Sequence, residues 1–89
     1  MVTIIVNHVV KNYADWRKVF DADAANRSKV DMKITGVFQH IENQNQITIT
    51  AEASNPEAVK QFFANPELKK TLEKGGVIGM PEVQILKKV

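Results

Sequence analysis

The residue pattern predicts an α+β sandwich in the order βαββαβ, with a four-stranded antiparallel sheet of order 4-1-3-2 and helices on one face. Three observations carry this. The chain opens on a β-branched stretch that is apolar in both phases. Two alternating segments flank a polar tip, as a hairpin requires. Two regions of helical apolar spacing separate that hairpin from the first and last strands.

In the first strand, residues 2–10, Val2, Ile4, Val6, His8 and Val10 share one phase and Thr3, Ile5, Asn7 and Val9 the other. Apolar residues on both faces mark a central strand covered on both sides. Asn12 then reads as an N-cap with Asp15 in the first turn. Tyr13, Trp16, Phe20 and Ala24 form the buried stripe of one helix ending near Ser28 to Val30. The second strand is predicted over Lys33 to Glu42, with Ile34, Gly36, Phe38 and His40 on one face and Thr35, Val37, Gln39 and Ile41 on the other.

After the tip Asn43-Gln44-Asn45-Gln46, the third strand runs from Ile47 to Ala53, with Ile47, Ile49, Ala51 and Ala53 facing the helices. Matching apolar faces puts His40 opposite Ile49. Asn55-Pro56-Glu57 and Asn65-Pro66-Glu67 are two helix starts. Pro66 inside a continuous helix would cost roughly 3 kcal/mol, so two short helices meeting at Asn65 are expected. Val59, Phe62, Phe63, Leu68 and Leu72 supply their apolar stripe. Gly75 reads as a left-handed cap. Gly75 to Pro81 reads as a mobile apolar flap before a last strand over Glu82 to Lys88.

A chain of 89 residues with 44% hydrophobic and 25% charged residues is one soluble globular domain, spanning 1–89. It has no cysteine, so disulfides and thiolate metal sites are excluded and a cytoplasmic setting is expected. The opening Met1 to Val6 lacks the basic flank and length of a signal peptide, and no apolar run suits a membrane span. A net charge of +2 with scattered lysines is not the dense basic stripe of a nucleic-acid surface. Nor does Ile47 to Glu52 carry the strand aromatics of an RNA-recognition domain. The glycines of Gly75 to Gly79 follow a helix and lack the lysine–hydroxyl ending of a phosphate loop. No zinc spacing, calcium loop, nucleophilic triad or paired-carboxylate motif occurs, so neither metal nor cofactor is expected.

Two split βαβ units joined by a hairpin make a ferredoxin-like sandwich whose helices cover one sheet face. The predicted phases leave Ile5, Val9, Val37, Ile41 and Leu86 on the bare face. An apolar patch of that kind marks an interface, so a homodimer through the open sheet face is expected.

The opening strand with Asn7-His8, the segment Tyr13-Ala14-Asp15-Trp16-Arg17-Lys18-Val19-Phe20, and Asn65-Pro66-Glu67-Leu68 followed by Gly75-Gly76-Val77 carry a family likeness. On them the chain resembles the dimeric α+β-barrel superfamily, which includes antibiotic-biosynthesis monooxygenases, muconolactone isomerases and stress-responsive barrel proteins. The resemblance covers nearly the whole chain. It implies two sheets packed back to back in a dimer, and one cavity per subunit between sheet and helices. It also implies that Asn7 could match a functional first-strand asparagine of oxygenase and haem-degrading relatives. The chain has no histidine in its second helical region, and its only tryptophan lies on the first helix rather than a strand, which argues against haem degradation.

His8 and His40 are the side chains that titrate near neutrality unaided, so they are the candidate acid–base pair. Beside apolar neighbours each reads more readily as a space-filling core histidine, and the functional reading gains if both line one cavity. Tyr13, Trp16 and Phe20 could wall a planar ligand or simply be core. Phe38 and Phe62 would fill or line the same cavity. Arg27 lies four residues from Asp23; exposed, that pair is worth only about 0.2–0.5 kcal/mol. At a cavity mouth Arg27 could instead hold a carboxylate or enolate oxygen. Asn7 is an edge or interface polar group, or an oxyanion donor. Two functions fit these residues: a cofactor-independent monooxygenase or isomerase acting on a small organic molecule, or a non-catalytic ligand-binding or stress-associated dimeric module.

Overall fold

In the computed structural model, which describes residues 1–89, β-branched density becomes an inner strand and proline-started segments become short helices. The elements are β1 Val2–Val10, α1 Tyr13–Ala22, α2 Ala24–Lys29, β2 Met32–Gln39, β3 Gln46–Ala53, α3 Pro56–Ala64, α4 Pro66–Lys74 and β4 Val77–Lys87. The four strands are ordered β2-β3-β1-β4 and every pairing is antiparallel, the predicted 4-1-3-2 arrangement read from the other edge. Caps form where the sequence offers them. The Asn12 side chain accepts from the Asp15 N–H, Asn55 from Glu57 and Ala58, and Asn65 from Glu67.

The even-numbered residues of β1 face the helices, opposite the odd-numbered residues of β3: Ile4 pairs with Ala51, Val6 with Ile49 and His8 with Ile47. Ile4, Ile47, Val10 and Val59 are fully buried there and Trp16 packs against them, so the core lies between the sheet and the helical layer. The other face of β1 is flanked by Thr48, Thr50 and Glu52 on one side and by Ile78, Glu82, Gln84 and Leu86 on the other.

Five sequence expectations change. The first helix is broken at Asp23 into α1 and α2, which leaves Ala24 exposed instead of buried. The break frees the Phe20 carbonyl from an ordinary helical partner, and it accepts from Asp23 N and from Arg27 Nη1 (2.8 Å). In β2 the pairing passes from Ile34–Ala51 to Gly36–Thr50, so Thr35 is an extra, bulged residue. Beyond it the phase is reversed: Val37, opposite Ile49, packs on the core, and Phe38 turns to the open face. A Cβ on Gly36 would come within 2.6 Å of the Phe38 ring, so glycine is what lets that ring lie across the strand.

The strand stops at Gln39. His40 and Ile41 therefore belong to the hairpin loop, and the predicted His40–Ile49 pairing is replaced by Val37–Ile49. Lastly, Gly75 is right-handed at φ −77°, and the left-handed residue is Gly76 at φ +78°. A Cβ on Gly75 would meet Trp16 at 3.4 Å, a close but ordinary contact. The segment expected to be a flap is the start of β4, with Ile78 paired to Val9 and Val77 to Val10. Between Ile78 and Glu82 the ladder skips Gly79, Met80 and Pro81, a bulge directly beside His8.

Candidate functional site

A cavity of about 70 Å³ lies between the sheet and the helical layer. Ile4, Val6 and His8 of β1 and Ile49 and Ala51 of β3 form its floor, because the helix-facing phase of both inner strands is directed into it. Trp16, Val19 and Phe20 of α1 form one wall, and Phe62, Phe63, Leu68 and Leu72 of α3 and α4 the opposite one. Trp16 stacks on Phe20 at 4.8 Å between ring centroids and meets the His8 ring at 5.3 Å, tilted by 56°. The aromatic spacing of α1 thus both fills core and lines the cavity.

His8 is the polar group at the floor. It is 6% exposed, and neither Nδ1 nor Nε2 has a hydrogen-bond partner in the protein. A buried polar group is almost always paired, so an orphaned imidazole on a cavity wall is a group held ready for something else. Burial pushes its pKa below the ordinary 6.5, so the ring is neutral at pH 7, one nitrogen donating and the other accepting. Which nitrogen carries the proton is open, because no neighbour selects the tautomer.

Arg27 enters the same cavity from α2. Its guanidinium carbon lies 4.0 Å over the Phe20 ring and Nη1 donates to the Phe20 carbonyl. None of the chain's ion pairs includes it. The helix break at Asp23 is what turns this side chain inward. Asp23 also lines the cavity, with one carboxylate oxygen accepting from the Asn26 amide at 2.5 Å.

Of the nine residues nominated from sequence, His8, Trp16, Phe20, Arg27 and Phe62 meet in this cavity. Tyr13 stands one step back, 5.8 Å from Trp16, with its backbone N–H bonded to the Asn45 side chain. The other three lie elsewhere. His40 is exposed on the hairpin loop and its Nδ1 accepts from the Glu42 N–H, so it does not join His8. Phe38, 54% exposed, lies on the open face because of the Thr35 bulge. Asn7 also faces that side, and its Oδ1 accepts from the Thr48 hydroxyl at 2.6 Å. Lining residues that sequence reasoning did not nominate include Asp23, which it placed at the edge of the apolar stripe, together with Thr71 and Pro81. Pro81 lies in the β4 bulge beside His8.

Sheet order and one-sided helical cover define a ferredoxin-like α+β domain, a fold shared with structures that carry the name antibiotic biosynthesis monooxygenase. No protein-family model matches the chain, and no curated protein matches it. Solved structures do. SnoaB, a cofactor-independent oxygenase from Streptomyces nogalater, superposes with a TM-score of 0.72 at 15% identity, over 99% of this chain and 92% of that one. A protein from Caulobacter crescentus, provisionally named an antibiotic biosynthesis monooxygenase, gives 0.73 at 15% identity, over 99% and 89%. Protein Atu4242 from Agrobacterium tumefaciens gives 0.66 at 23% identity, over 100% and 94%. At these identities the fold is what is shared.

Proposed function

We propose that this chain forms a homodimer through its open sheet face and binds a compact organic molecule in the His8 cavity. There it performs cofactor-free proton abstraction leading to oxygenation or isomerisation. The observation that carries this is His8, buried, neutral and unpartnered at both nitrogens, on the wall of a largely apolar chamber. The oxygenase SnoaB, with the same fold, supports the oxygenation branch by analogy of fold.

The imidazole takes a proton from an acidic carbon or phenol of the ligand, leaving the electron pair as an enolate or phenolate. That anion raises the basicity of the adjacent imidazole, and the ion pair forms away from water. In oxygenation, a CH₂ group and O₂ become a carbonyl and water. The substrate then supplies all four electrons, so no redox cofactor is needed. In isomerisation the proton returns to a different carbon. Trp16 and Phe20 offer a flat wall for a ring.

The open face carries Val9, Phe38, Ile78 and Leu86 among threonine, glutamine and glutamate, and Phe38 and Ile78 are each more than half exposed. A back-to-back partner would cover them. Light scattering on the eluting protein should give twice the chain mass of 10.0 kDa.

The catalytic reading is tested by oxygen uptake and product analysis over a panel of phenols and enolisable ketones, with wild type beside His8→Gln. Turnover lost in the variant, with the fold retained by circular dichroism, is the expected result. Turnover that survives the substitution overturns the role of His8. The alternative is a binding module without catalysis, in which the two free His8 nitrogens hydrogen-bond the ligand. Saturable binding with no turnover in the whole panel would select it.

A further inference from the structure

The cavity is not isolated. A second, polar cleft of about 470 Å³ lies between α2 and the α3–α4 pair. Asp23, Phe62, Leu68 and Thr71 line both spaces, so chamber and cleft share a wall. Their sizes differ in a useful way. About 70 Å³ accommodates a couple of water molecules or a few heavy atoms, whereas pockets for whole organic ligands start near 300 Å³. A ligand of more than a few heavy atoms that reaches His8 therefore needs space beyond the chamber.

Arg27 lines the chamber one helical turn from Asp23, a residue of the shared wall. It is half-buried, it lacks a carboxylate partner, and one of its nitrogens is already committed to Phe20. The charged groups around it are Asp21 and Asp23, which favour its cation, and Arg17, which opposes it. Asp23 is engaged by Asn26, and Asp21 by Arg17 at 3.1 Å, so the neighbouring carboxylates are already occupied. Guanidinium nitrogens left over in a half-buried site are suited to an anionic oxygen delivered by a ligand.

We propose that chamber and cleft form one two-part site for a small aromatic or unsaturated carboxylate. Its apolar end lies against Trp16 and His8, and its carboxylate is held by Arg27 near the shared wall. This rests on the reading that the His8 chamber binds a ligand and adds the class of that ligand. Arg27 is a specificity-determining residue in this scheme and takes no part in proton transfer.

Trp16 is the only tryptophan and stands in the chamber wall, so its fluorescence reports occupancy without any turnover. Phenylacetate and phenylacetamide, alike in shape and different in charge, are titrated into the full-length protein. Phenylacetate should bind about tenfold or more tightly, the difference expected of one charge-assisted contact. Arg27→Gln should abolish that preference, bringing acid and amide to similar affinities, and Arg27→Lys should keep part of it. Ala58→Trp, which fills the cleft, should weaken both probes. Equal binding of acid and amide by the wild type overturns the assignment to Arg27 and leaves the chamber reading standing. Preference retained in Arg27→Gln does the same. If neither probe perturbs Trp16, the chamber reading and this inference fall together. Should Arg27→Gln misfold, the wild-type preference and Arg27→Lys still decide the matter.

Discussion

Replacing His8 with leucine separates a residue kept for function from one kept for packing. The imidazole is 6% exposed and neither nitrogen has a protein partner. A buried polar group in that condition costs about 1–3 kcal/mol relative to an apolar side chain of similar size. Leucine removes both orphaned nitrogens and continues the floor made by Ile4, Val6, Ile49 and Ala51. His8→Leu should therefore stabilise the protein by about 1–3 kcal/mol, which in a domain of this length raises the melting temperature by at least about 4 °C. The assay is thermal unfolding followed by circular dichroism at pH 7, with both proteins at the same protomer concentration so that dimerisation does not bias the comparison. The same variant should lose turnover or ligand binding. A gain in stability paired with a loss of function is the signature of a strained functional group. A fall in melting temperature would refute the reasoning, because it would make His8 a contributor to packing.

Three further outcomes follow from the structure. Burial lowers the folded-state pKa of His8 beneath 6.5, so the unfolded chain takes up this proton first as pH falls. The group's contribution is fully present above pH 6.5 and is lost as pH drops toward the folded value. Denaturant titrations between pH 7 and 5 should show this slope, at most about 1.4 kcal/mol per pH unit for one proton, and His8→Leu should remove it. Gly76→Ala places a Cβ at φ +78° with no contact shorter than 3.6 Å, so the cost should be conformational only, about 1–2 kcal/mol in chemical denaturation. Ile78→Lys puts a charge on the open face beside Val9, and light scattering should then show a monomer in place of the proposed wild-type dimer.

The pattern of side chains was enough to read strand order, the helix-facing phases of β1 and β3, and the two helices meeting at Asn65. Each follows from local chemistry: alternation of period two, proline after a capping asparagine, and a register that any one-residue slip would invert. The placement of His8, Trp16, Phe20 and Phe62 around one chamber follows from those phases, since residues on facing surfaces of adjoining layers must meet.

What local chemistry did not decide is where the regular pattern breaks. Nothing in Lys33 to Glu42 announces that Thr35 is skipped, yet that one bulge sends Phe38 and Val37 to opposite faces from those expected. The shortened strand also leaves His40 on a loop. The interruption at Asp23 likewise lacks a side-chain cap bond and is stabilised across seven residues, by Arg27 reaching back to the Phe20 carbonyl. Sequence by itself determined which elements form and which surfaces they bury, because those depend on neighbours a few residues away. Only the tertiary structure decided that one histidine rather than two serves the chamber, and that an arginine lines it. Both depend on the accommodation of a bulge and a kink by side chains from other elements, an energy balance that no short stretch of chain contains.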